Sequence, residues 1–289
     1  MEQMRIVAEV KRRLIAQGRL RVVPYEDLRE EFNVVRNEFS RLFPRCGERL
    51  YWHWLGQYND PDVHDAEGNR KEYHNRAHVI TALDRLFGED GSHCIRELGP
   101  SQLRMQEAAI ALLIHDVYHT CGEFEDSANI VRALQVVTIP HNGDQYPLLS
   151  EAGVDSEEFQ IDINAYSTMD YHRFFNMCRA LVQETQYPYT GMASPVGSVL
   201  RDIDRLAMLS LDRFEQVYEG LYSEIRNQQY VSFFDFCRGQ INFMQGFVWQ
   251  SKEMEKRLKG GYEMRDAELL AYLVYDMART VTVELDVDY

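Results

Sequence analysis

Apolar residues recur along this chain in short stripes of helical period, separated by polar breaks, and strand-like alternation is nearly absent. Ile6, Val7, Val10, Leu14 and Ile15 mark a first helix over residues 1–17, with Gly18 as a natural stop. A second helix is predicted from Tyr25 to Leu42, closed by Pro44 and Gly47. The aromatic and turn-rich segment that follows reads as irregular, and its His53 and His64 as ordinary loop histidines. Val79, Ile80, Ala82, Leu83, Leu86 and Phe87 then carry a helix from about Asn75 to Gly88, and a loop rich in Gly and charge, holding His93, follows it. The next helix runs from about Ser101 to Val117 and contains AAIALLIHD, an unbroken apolar run ending in His115 and Asp116. Another helix opens near Asp126 or Ser127, whose side chains suit an N-cap.

Residues 139–170, with Pro140, Gly143, Pro147 and Gly153, read as an inserted loop or small excursion and not as a second core. A helix is predicted over Tyr171–Gln186, and a strong stripe over VLRDIDRLAMLSLDRF (Val199, Leu200, Ile203, Leu206, Leu209, Leu211). Three more helices are expected in FEQVYEGLYSEIRN, in VSFF through RLK, and in EMRDAELLAYLVYDMARTVTV, with Gly260-Gly261 between the last two. The pattern predicts an all-α fold in a single domain over 1–289: N-terminal helices in 1–50, a central unit in 73–210 with its insertion near 139–170, and C-terminal helices in 211–289.

Charge narrows the partners. The chain has 31 Lys and Arg against 46 Asp and Glu, a net charge of −15. That argues against a nucleic-acid duplex or an anionic membrane as partner, but not against a small phosphorylated ligand met locally by a metal and a few arginines. The five cysteines are scattered and never paired as CxxC, which fits reduced thiols in a cytoplasmic protein. No segment approaches the ~20 uncharged apolar residues of a membrane span, and the N-terminus lacks a signal-peptide core. The aromatics near Trp52 and Trp54 suit either a subunit contact in a homo-oligomer or a cover for the N-terminal helices.

The candidate chemistry sits on the helix ends. Burying His115 and Asp116 uncompensated costs several kcal/mol, so a bound cation or a mutual hydrogen bond must account for them. In YHNRAH, His74 and His78 are four apart and share a helical face. Asp202 and Asp204 interrupt the apolar stripe of their helix, and each needs an arginine or a metal as partner. His119, Glu123, Glu125 and Asp126 crowd one turn, where Glu125 and His119 serve as proton-transfer or supporting groups, or the acids simply complement the helix dipole. His141 lies in a turn-like stretch, from which it could still join a metal site.

Taken together, YHNRAH, LLIHDVYH and DIDRLAML resemble the motifs of the HD-domain metal-dependent phosphohydrolases, in order over roughly residues 73–270. The YHNxxH form is shared with cyclic-nucleotide phosphodiesterases and with a bacterial branch of predicted HD phosphohydrolases. Glu125 in EDSA, YSEIR around Arg226 and CRGQINFMQ add likeness to that branch. The resemblance implies an HD-type helical bundle with added N- and C-terminal helices. It implies one divalent ion (Mn, Fe, Co, Ni, Zn or Mg) on His78, His115, Asp116 and Asp204, with Asp202 the weaker choice for the last ligand.

It further implies His74 as proton donor to a leaving oxygen and Glu125 as an orienting group. Arg205 is the first choice for a phosphate contact, ahead of Arg76 and Arg226. Two departures stand out: the stretch between His115-Asp116 and Asp204 is long, and Gln186 and Tyr187 replace a histidine that some branches carry, which favours one cation over two. The expected activity is phosphoester hydrolysis on a nucleotide or similar small phosphorylated metabolite by metal-activated water. The alternatives are a cyclic-nucleotide or other phosphodiesterase, a di-iron oxygenase, and a catalytically silent nucleotide-binding regulator.

Overall fold

In the computed structural model, residues 2–20, 25–58, 73–99, 101–119, 127–139, 145–189, 191–209, 213–229 and 231–285 are described. Among them the fold is all-α, with no strand. The helices are α1 (Glu2–Ala16), α2 (Tyr25–Leu42), α3 (Gly47–Gln57), α4 (Arg76–Phe87), α5 (Glu89–Glu97), α6 (Ser101–Ile114), α7 (Ser127–Val136), α8 (Pro147–Ser150), α9 (Ser156–Asn164), α10 (Tyr171–Glu184), α11 (Pro195–Leu206), α12 (Tyr222–Gln229), α13 (Phe233–Gln245), α14 (Lys252–Leu258) and α15 (Tyr262–Glu284). A 3-10 turn over Ala207–Leu209 follows α11, and the chain winds as a π-helix over Phe214–Leu221 before α12. No helix of the described residues is long and apolar enough to cross a membrane.

Two apolar cores organise these elements. The larger is built on α6, whose residues 108–114 are all fully buried, with α4, α10 and α11 packed around it. The smaller joins Ile6, Val7, Val10 and Leu14 of α1 to Phe214, Tyr218 and Tyr222 and to α13 and α15. An all-round apolar helix such as α6 is stable only when enclosed, which is why the sequence run reads so clearly.

Four stretches differ from the sequence reading. YWHWLGQ is helical in α3, with Trp54 buried and its Nε1 donating to the Leu148 carbonyl. The Gly-rich stretch around His93 is the helix α5: Gly91 lies where α5 crosses the end of α4, and a Cβ there would stand 2.8 Å from the Leu86 Cα. Its glycine is a close-packing residue and not a helix breaker.

Residues 145–170 are not a loop. They form α8 and α9, with Leu148, Leu149, Phe159 and Ile163 in the larger core. Asp162 of α9 accepts the amides of Arg45 and Cys46 at 2.9 and 3.2 Å, satisfying the start of α3. The predicted helix over 231–259 divides at Gly246 into α13 and α14. The described cysteines, Cys46, Cys94, Cys178 and Cys237, are buried free thiols.

Candidate metal centre

Three mutually packed helices, α4, α6 and α11, deliver four side chains to one point. Asn75 caps α4, its Oδ1 accepting the amides of Ala77 and His78, and this fixes His78 in the first turn. His115 and Asp116 lie in the turn just past α6, where helical carbonyls lack partners. Two of those carbonyls are used: Leu113 accepts the Tyr58 hydroxyl at 2.9 Å, and Leu112 accepts the His115 Nδ1–H at 2.8 Å. The second bond settles the tautomer and leaves Nε2 of His115 to face inward. Asp204 comes from the last turn of α11.

The four inward atoms form a closed ring of alternating nitrogen and oxygen. His78 Nε2 is 3.3 Å from Asp116 Oδ2 and 3.1 Å from Asp204 Oδ1; His115 Nε2 is 3.0 Å and 3.2 Å from the same two oxygens. A point equidistant from such atoms lies about 2 Å from each, the length of a metal–nitrogen or metal–oxygen bond. The donors are two imidazoles and two carboxylates, the set that suits borderline transition ions. These groups can hold a metal ion.

Their electrostatics agree. Burial acts to strip charge from both imidazoles, yet the bonds to Asp116 and Asp204 outweigh it, raising His78 to about 9 and His115 well above its ordinary range. Burial likewise acts to raise the two carboxylates, and the imidazoles hold both well below the usual range. Each imidazole thus stabilises the charged form of the carboxylates it faces, and the carboxylates that of the imidazoles.

Asp202, two residues before Asp204, points elsewhere. It is fully buried and accepts the amides of Gln250 and Ser251 and the Arg205 guanidinium at 2.6 Å, fastening the start of α14. Arg205 donates its Nη2 also to the Val248 carbonyl and lies over the Phe247 ring. It still borders the cavity beside the centre, held by these contacts.

A second group stands next to the first. His74 stacks face to face on His119, with ring centroids 3.5 Å apart, and Glu224 of α12 lies against His74. Glu224 takes the amides of Tyr73 and His74 on Oε1 and His74 Nδ1 on Oε2. Burial acts to raise its pKa, but the His74 ring and the Tyr73 amide bring it below the ordinary value. In YSEIR the sequence draws attention to Arg226 and not to Glu224, for which the one local signal is a glutamate between Tyr222 and Ile225. Glu123, Glu125, Asp126, His64 and His141 lie outside the described residues. His53, on α3, lies near Glu151 and takes no part in either group.

Both groups open on a cavity of about 440 Å³ between the two cores. Comparison with protein-family models, curated proteins and solved structures found no match in any of the three. The chemistry of the residues therefore carries the functional argument.

Proposed function

We propose that the chain is a metal-dependent phosphohydrolase of the HD kind, cleaving a phosphoester of a nucleotide or similar small phosphorylated metabolite. The observation that carries this reading is the ring of His78, His115, Asp116 and Asp204 at the wall of a ligand-sized cavity. A divalent ion held there would polarise a phosphoryl oxygen and acidify a bound water. Asp116 and Asp204 supply the negative charge that retains the ion, and the bond from His115 to the Leu112 carbonyl aims its Nε2.

His74 acts as the proton donor. With Nδ1–H given to Glu224, its imidazolium form has Nε2–H left for the leaving oxygen. Arg205, already fixed by Asp202 and the Val248 carbonyl, offers a phosphate oxygen a cation that needs no further ordering. A two-metal reading has one observation in its favour, the second donor group of His74, His119 and Glu224. In that reading His74 is a ligand and not an acid.

The test is phosphate release from a panel of nucleotides in each of several divalent metals, wild type against Asp116→Ala, alongside elemental analysis. One ion per chain and metal-dependent release lost in the variant support the proposal. Two ions per chain turn the argument to the dinuclear reading, and tight nucleotide binding without release in any metal overturns hydrolysis.

A further inference from the structure

One face of α13 forms the wall of the same cavity: Phe236, Gly239 and Phe243 line it at helical spacing. Gly239 is mid-helix, where glycine costs about 1 kcal/mol relative to alanine. Packing does not explain it, because a Cβ built there meets nothing within 4 Å, whereas the equivalent atom on Gly91 collides with backbone. The two phenylalanines stand about 10 Å apart along the helix axis, so the missing side chain leaves a trough between them.

Charge limits what fills it. Among the described lining residues, Asp116, Asp204, Glu224 and Asp235 outnumber the one guanidinium, Arg205, itself paired with Asp202 at 2.6 Å, and the lining histidines His74 and His78 are engaged by these same carboxylates. Among the described residues a polyphosphate chain would meet little positive charge beyond the ion centre and Arg205, while one phosphate is accommodated by those two.

We propose that the substrate is a nucleoside monophosphate whose flat base lies across Gly239 between Phe236 and Phe243 while its phosphate faces the four-residue centre. This rests on the phosphohydrolase reading above. The reaction forms a P–O bond to water oxygen and breaks the ester P–O bond. The leaving nucleoside oxygen gains a proton, the attacking water loses one, and the products are nucleoside and inorganic phosphate.

The experiment compares wild type and Gly239→Leu, both metal-loaded, on one nucleoside's mono-, di- and triphosphate and on ribose 5-phosphate, with thermal melting to confirm that the variant folds. Leucine favours the helix more than glycine does. The monophosphate is expected to exceed the triphosphate in kcat/KM by ~10-fold or more, and Gly239→Leu to lower the preference for monophosphate over ribose 5-phosphate by a similar factor. A better triphosphate substrate, or an unchanged preference in the variant, overturns the proposal. If neither protein releases phosphate from anything, hydrolysis fails as a reading, and calorimetry with the monophosphate decides the trough separately: binding lost in Gly239→Leu supports it, equal binding sinks it.

Discussion

Glu224 Oε2 stands 2.7 Å from His74 Nδ1, a contact between residues 150 positions apart. The other oxygen of the same carboxylate holds the Tyr73 and His74 amides. One acid from the smaller core therefore sets both the backbone and the ring of a residue beside the metal centre. Removing it in Glu224→Ala strands two amide donors and is expected to cost ~3 kcal/mol or more. Glu224→Gln still accepts from an amide but turns an NH₂ toward His74, so kcat is expected to fall ~10- to 100-fold with a much smaller loss of stability. Melting curves and steady-state kinetics on the two variants check this; equal kcat in Glu224→Gln and wild type would remove His74 from proton transfer.

Asp202 and Asp204 are expected to separate cleanly. A divalent ion at 100 times its dissociation constant adds about 2.7 kcal/mol to the folded state, seen as a rise in Tm. Asp204→Asn should abolish that rise. Asp202→Asn should lower Tm in the absence of metal, because it weakens the attachment of α14, yet leave the metal-induced rise in place. Calorimetric titration with Mn²⁺ on both variants gives the same answer independently.

Glu107, in the middle of α6, gives the stability a pH dependence of its own. Burial raises its pKa to about 7, against the nearby Arg104 and Arg173. The folded chain then holds a proton that the unfolded chain releases near pH 4.5, so this contribution is fully present below 4.5 and is lost as pH rises to about 7. The loss is ~3 kcal/mol. The difference in unfolding free energy between wild type and Glu107→Gln, followed from pH 4.5 to 8, should grow by this amount; a flat difference would show that the carboxyl titrates normally.

Gly91→Ala is expected to destabilise the protein by ~2–3 kcal/mol, since the added methyl meets the backbone of Arg85 and Leu86, which cannot move aside as a side-chain tip could. Chemical denaturation measures it. By contrast, Gly56→Ala, where nothing stands within 4 Å, should stabilise α3 slightly.

What the sequence disclosed followed from local rules. The apolar run of α6, the helix start near Asn75 and the stripe of α11 each announce themselves within a dozen residues, so those helices were accessible, whereas the meeting of His78, His115, Asp116 and Asp204 was implied only by the resemblance of three separated motifs. The α5 helix was hidden because a crossing glycine and a breaking glycine look alike until the partner helix is known. Asp202 and Asp204 both interrupt one stripe, and only the position of α14 against α11 shows which one is occupied elsewhere. Glu224 was the hardest, since its neighbours Tyr222 and Ile225 hint only that it is buried, and its partners Tyr73 and His74 lie far away in the sequence.

The four side chains that could hold an ion all hang from helices of the larger core or the turn beyond one, whereas Glu224, Phe236 and Gly239 ride on the smaller one. Any hinge-like parting of the two halves would widen the mouth through which small molecules come and go without loosening the grip on the cation. If the proposed activity holds, metal loading and exchange of reactant for product would be mechanically independent in such a design, and a single bound ion would serve many turnovers.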